Sequence, residues 1–159
     1  MSKLVYLSST LADLASFRDE AMRALVKAGY RVKDSYRASP QPPADQCLAD
    51  VRAADIYLGI FAGRYGYCPD GHGGKSITEL EYREAVRTGK QCFLFIRPLD
   101  DIPGKDLDSA KGEYEADTKL RALREELQSR HTCALVSSPT DLALSITQAL
   151  PRVEEDRAD

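Results

Sequence analysis

One stretch of the chain carries the side chains needed for glycosidic-bond chemistry: Lys75-Ser76-Ile77-Thr78-Glu79-Leu80-Glu81-Tyr82. Hydroxyls hold sugars and phosphates, and a carboxylate among them stabilises positive charge developing on a sugar ring. The stretch follows an apolar strand, Asp55 to Ala62, and a Gly/Tyr/Pro loop over 63–75, so it opens a helix at the mouth of an α/β sheet. Glu81 lies four residues after Ile77 and four before Ala85, on the stripe that should face the sheet. An acid on that stripe is costly unless it is paired or used. The competing reading is a solvated helix glutamate paired with Arg64. Glu79 has a structural explanation, because Ser76 and Glu79 match a capping box in which the acid reaches back to the cap's own N–H.

Two further segments should converge on the same crevice. One is the turn Ser8-Ser9-Thr10 after the first strand; the other is Arg64-Tyr65-Gly66-Tyr67 after the third. Ser8, Ser9 and Thr10 offer hydroxyl and backbone donors, although Ser9 or Thr10 can equally cap a helix, and Thr10 with Asp13 fits the capping pattern. Arg64 suits a phosphate and Tyr65 suits stacking on a base. Gly66, Ser76 and Thr78 complete the expected substrate-binding set around Glu81. Arg18 either meets a phosphate or pairs near Asp19 and Glu20. Asp55 opens its strand at the opposite edge and reads as a turn or capping residue.

Other chemistries fit poorly. Gly71-His72-Gly73-Gly74-Lys75-Ser76 imitates a phosphate loop, but that motif needs glycine where Pro69 stands. The histidines, His72 and His131, offer neither a hydrolase triad nor, with isolated cysteines, a tetrahedral metal set. Asp100, Asp101, Asp106 and Asp108 read as solvated loop residues.

The elements that must position these groups alternate regularly. A strand over 3–8 precedes a helix from Ser9 or Thr10 to Gly29, then a short strand over 30–33. Proline-rich 39–43 is loop, and a helix spans 44–53. After the 55–62 strand come the helix over 76–89, a strand over 91–96, an irregular surface excursion over 97–112, a charged helix over 113–130, a strand over 132–136 and a last helix over 139–150. Five strands alternating with helices imply a parallel sheet covered on both faces, in the order 2-1-3-4-5. Residues 1–150 form one domain, and 151–159 read as an acidic tail or a linker to a further domain.

Bulk properties set limits. A chain of 159 residues with 43% hydrophobic and 30% charged residues is an ordinary globular domain. A net charge of −3 with dispersed Lys and Arg argues against a nucleic-acid partner. No apolar run approaches the roughly 20 residues of a membrane span, and Asp13, Arg18 and Asp19 interrupt any leader-like segment. Cys47, Cys68, Cys92 and Cys133 lack C-x-x-C spacing and read as reduced thiols of a cytoplasmic protein.

Taken together, Val5-Tyr6-Leu7-Ser8-Ser9-Thr10, Asp13-Leu14, Arg18, Asp55-Ile56-Tyr57-Leu58-Gly59-Ile60, Arg64-Tyr65-Gly66 and Ser76 to Tyr82 resemble a TIR-like domain family, in order from about residue 3 to 97. The resemblance implies a flavodoxin-like three-layer fold. It also implies cleavage of NAD+ as substrate at the nicotinamide–ribose bond, without a cofactor, by hydrolysis or by cyclisation of ADP-ribose. Thr78 followed by Glu81 fits the family's spacing between a small residue and its catalytic glutamate. Further implications are self-association, a downstream effector or fused domain, and a role in anti-phage immune signalling. Nucleoside deoxyribosyltransferases are similar, but their Asp-Ser-Gly-Thr string is replaced here by Lys75-Ser76-Ile77-Thr78. Nucleoside or nucleotide N-glycosidase or deoxyribosyltransferase activity is the alternative, and a non-catalytic self-associating adaptor is a third.

Overall fold

The computed structural model describes residues 2–34 and 42–153. Five parallel strands form one sheet: β1 (Leu4–Ser8), β2 (Arg31–Lys33), β3 (Ile56–Phe61), β4 (Gln91–Ile96) and β5 (Ala134–Leu135), in the order β2-β1-β3-β4-β5. The fold is therefore the expected flavodoxin-like α/β sandwich. Helices α1 (Ala15–Lys27) and α5 (Pro139–Ala149) pack together on one face. Helices α2 (Pro43–Ala53), α3 (Ile77–Arg87) and α4 (Tyr114–Arg130) belong to the other.

Every residue of β3 is buried, as a central strand covered on both faces requires. Its alternate side chains supply two cores: Ile56, Leu58 and Ile60 meet Leu14, Phe17, Ala21, Leu25, Leu142 and Ile146. Tyr57 and Phe61 meet Tyr6, Val51, Tyr82, Leu120, Leu123 and Leu127. The chain leaves β1 toward β2 and returns through β3 to β5, so the direction of winding reverses between β1 and β3. Their C-terminal ends, paired at Ser8 and Gly59, open the crevice.

Three local expectations are corrected. Helix α1 starts at Ala15 with Leu14 in the cap position and no side-chain cap. Neither Ser9 nor Thr10 caps it, because the Ser9 hydroxyl donates to the Thr10 carbonyl at 2.6 Å and the Asp13 oxygens are buried without a partner among the described residues. The segment 97–112 is not a mere surface excursion: 3-10 turns at Leu99–Asp101 and Gly104–Asp106 hold Ile102 and Asp108 inward. Finally, Ser76 caps α3 by accepting the Glu79 N–H at 3.1 Å, but the Glu79 side chain does not reach back. Residues 39–41 of the expected loop and 154–159 of the expected tail lie outside the described residues. Among the described residues no helix is long and apolar enough to cross a membrane.

Candidate active site at the β1–β3 crevice

Helix α3 buries three glutamates, Glu79, Glu81 and Glu84, and the partners of each separate their roles. Glu84 pairs with Arg52 at 3.1 Å and with Arg87. Glu79 accepts from the Tyr65 hydroxyl at 2.6 Å and from Arg83 Nε at 3.1 Å; Arg83 also holds Glu126. Glu81 has no ion-pair partner among the described residues. It is 2% exposed, and its carboxyl accepts from the hydroxyls of Tyr6 and Ser8, the latter at 2.8 Å. Tyr6 and Ser8 are two residues apart on β1, which puts both on one face of the strand. That face lies under α3.

Burial lifts the Glu81 carboxyl from its ordinary value to about 7. The Tyr6 and Ser8 hydrogen bonds, the nearby Arg18 charge and the Cys47 thiol all act the other way, favouring the ionised form. The result is a carboxyl that titrates near neutrality in a dry setting. Such a group can hold a proton for a departing base or, once ionised, face a cationic sugar.

Around it, the expected binding residues divide. The Cβ that Gly66 lacks would lie 3.1 Å from Thr10 Cγ2, 3.5 Å from Thr78 Oγ1 and 3.8 Å from Ser76 Cβ, so these four residues do converge. Gly66 has φ +99°, a left-handed conformation suited to glycine. Ser9 Oγ accepts from buried Arg18 at 2.7 Å, which brings a guanidinium to the β1 turn. This replaces the expected pairing of Arg18 with Asp19 or Glu20. Arg64 is half-buried and, among the described residues, forms no ion pair with Glu81, so the paired-glutamate alternative is set aside.

Two assignments change. Tyr65 is 2% exposed, donates its hydroxyl to Glu79 and has its phenol pushed up to about 12, chiefly by burial. It ties its loop to α3 and offers no open ring for stacking. The Ser76 hydroxyl is fully buried in the helix cap rather than presented to a ligand.

Asp108 was not foreseen from its sequence position. It is 3% exposed and accepts the Tyr65 N–H at 2.8 Å, and its own N–H donates to the Gly63 carbonyl at 2.9 Å. Burial raises its carboxyl pKa. The irregular segment before α4 thus clamps the Arg64-Tyr65-Gly66 loop. No periodicity marks such a residue, and nothing local in the sequence sets it apart from Asp100, Asp101 and Asp106. Tyr6 was also missed, although its spacing from Ser8 places both on the face that meets Glu81.

An open groove of about 620 Å³ runs from this loop to the first turn of α4, lined by Tyr65, Gly66, Cys68, Glu113, Tyr114 and Lys119 among others. Glu81 does not line it. Among the described residues no three His, Cys, Asp or Glu side chains gather as a metal set. Asp55 joins the strand starts at the far edge by accepting the Leu4 N–H at 2.8 Å, as its position predicts.

Comparison with known proteins places this architecture. The Clostridium botulinum CMP N-glycosidase BcmB has a similar structure, with a TM-score of 0.57 over 93% of this chain and 100% of that one, at 12% sequence identity. At that identity the likeness is one of fold. Curated protein sequences give no significant match. The TIR resemblance rests on the motifs that carry it, since neither the family found here nor this structural neighbour is described as a TIR domain. The family found, a domain of unknown function (DUF4062), matches residues 4–151, and the chain belongs to it.

Proposed function

We propose that this chain is a nucleotide N-glycosidase in which Glu81 is the catalytic carboxyl and the scissile bond joins a base to C1′ of ribose or deoxyribose. The observation that carries the reading is the contrast within α3: Glu79 and Glu84 have arginine ion-pair partners, whereas Glu81, among the described residues, forms no ion pair and accepts from the Tyr6 and Ser8 hydroxyls at the sheet's C-terminal edge. A buried structural acid is ordinarily paired, and one kept unpaired and titrating near 7 matches the requirements of catalysis. The fold shared with a CMP N-glycosidase supports the same class of reaction.

In this reading, the ionised Glu81 faces C1′ as the C1′–N bond breaks and its electron pair leaves with the base. Positive charge on the sugar is stabilised electrostatically by the buried carboxylate. Water then supplies hydroxide to C1′ and a proton to the base, and no cofactor takes part. Arg18 with the Ser8-Ser9-Thr10 turn takes the phosphate end, and the Thr78 hydroxyl with the Gly66 backbone borders the sugar.

A second reading, NAD+ glycohydrolase or ADP-ribosyl cyclase, is favoured by one feature. Lys75 replaces the leading aspartate of the similar deoxyribosyltransferase string, to which that resemblance assigns protonation of the base, and nicotinamide leaves as a neutral molecule without that help. Assembly of several copies and a link to immune signalling belong to this second reading. Incubation with CMP, other nucleoside monophosphates, deoxynucleosides and NAD+, with products identified by mass spectrometry, separates the two. Release of a base from a monophosphate supports the first, nicotinamide release the second, and no release from any substrate defeats both.

A further inference from the structure

A tyrosine ring open to a planar ligand stands at the start of α4. The face of Tyr65 is taken by the Lys119 ammonium, 5.8 Å from the ring centroid. Tyr114 is 72% exposed and lines the groove between the Arg64-Tyr65-Gly66 loop and α4. At about 620 Å³ that groove falls within the roughly 300–1,000 Å³ of small-molecule sites.

Its walls are tied together. Lys119 Nζ donates to the Gly74 carbonyl at 2.8 Å, the Tyr65 hydroxyl donates to Glu79, and Asp108 accepts the Tyr65 N–H. The loop over 63–75 is thereby fastened to α3, to α4 and to the segment between β4 and α4. Gly66 belongs to two surfaces: it lines the groove, and the Cβ it lacks would point at Thr10 and Thr78. A single residue thus separates the groove from the place proposed for the sugar. With the phosphate end at the β1 turn, the base is the part of a nucleotide left to occupy the groove.

The polar groups of the groove choose among bases. Among the described residues the ion pairs of α4 use Glu115, Asp117 and Glu126 as acids and leave out Glu113, whose side chain does not cap the helix. The Glu113 carboxylate carries acceptors only, so it suits a heterocycle that presents an amino group and opposes one that presents a carbonyl oxygen at the same edge. On the proposed reading of Glu81, we infer that this groove is the base subsite, in which Tyr114 stacks on the heterocycle and Glu113 accepts from its exocyclic amino group. The substrate class is then nucleotides of cytosine or adenine, in preference to those of uracil or hypoxanthine.

Titration calorimetry with CMP, UMP, AMP, IMP and ribose 5-phosphate tests this on the unsubstituted chain, Tyr114→Ala and Glu113→Gln, with KM and kcat measured for any nucleotide that is cleaved. Both side chains are exposed, so neither substitution should lower the melting temperature. Ribose 5-phosphate should bind all three proteins alike. Tyr114→Ala should bind the preferred nucleotides about tenfold more weakly, the value of one stacked base. In the pairs CMP with UMP and AMP with IMP, the amino member should bind the unsubstituted chain about tenfold better. Glu113→Gln, whose amide also donates, should narrow that gap. Equal nucleotide binding by Tyr114→Ala would overturn the inference, as would the lack of an amino preference in both pairs, a preference that survives Glu113→Gln intact, or no nucleotide binding better than ribose 5-phosphate. Amino-nucleotide binding that depends on Tyr114 and Glu113 without any base release would sustain the inference and defeat the N-glycosidase reading. Base release with a KM indifferent to Tyr114 would do the reverse.

Discussion

Ser8 Oγ donates to Glu81 Oε1 at 2.8 Å, joining residues 73 positions apart in the chain. The contact exists because β1 and β3 are neighbours in the sheet and α3 returns across the face that Tyr6 and Ser8 share. A carboxyl from one crossover is thereby held by a strand from another. Its charge and its geometry are set together.

Burying Glu81 should make stability depend on pH. Its carboxyl titrates at about 7 in the fold against 4.5 in the unfolded chain, so the folded state binds the proton more tightly. The corresponding stabilisation is complete below pH 4.5 and is lost as pH rises through 7; a difference of about 2.5 pKa units corresponds to about 3 kcal/mol. Glu81→Gln carries no such proton. Urea denaturation at pH 5 and pH 8 should show the unsubstituted chain losing about that much relative to the variant. An equal gap at both values would contradict the buried acid.

Tyr6 sets where Glu81 titrates. Its hydrogen bond favours the carboxylate, so Tyr6→Phe should raise the Glu81 pKa further and move the acidic limb of a pH–rate profile to higher pH. Turnover near neutrality should fall about tenfold. A profile left in place would mean that Tyr6 only packs.

The sequence made the sheet order legible because strands and helices alternate and β3 is apolar throughout. Glu81 was legible as an acid on an inward stripe. The start of α1 was not: Ser9 and Thr10 look like caps, but Arg18 donates to the Ser9 hydroxyl, whose proton goes to the Thr10 carbonyl. That competition is tertiary and leaves no local mark. Tyr65 misled for a related reason, since a tyrosine in a loop looks available until its partners, Glu79 and Asp108, are placed. Asp108 lies among aspartates that read as solvated, and only the path of the chain between the 3-10 turns and α4 buries it.

Asp108 should matter to the site through the loop it clamps. Asp108→Ala removes a buried acceptor from the Tyr65 N–H and should cost about 1–3 kcal/mol of stability. Asp108→Asn keeps a carbonyl oxygen and should recover a good part of this. Calorimetric melting of both variants provides the check; equal losses would point to a requirement for charge instead.

Gly66→Ala tests the convergence of Thr10, Ser76 and Thr78. The added methyl would sit 3.1 Å from Thr10 Cγ2, in a left-handed backbone conformation. Strain of about 1–2 kcal/mol should lower stability, and nucleotide binding should weaken as well, because the methyl enters the space between these residues. Titration calorimetry with CMP reads the second effect, and unchanged affinity would place the sugar elsewhere.

The most direct measurement is base release from CMP and from NAD+ by the unsubstituted chain and by Glu81→Gln, with free base and sugar phosphate quantified by mass spectrometry. The proposed chemistry predicts release by the unsubstituted chain and a loss of at least about a hundredfold in a Glu81→Gln variant that still folds. Release that persists undiminished in that variant would contradict the role assigned to Glu81.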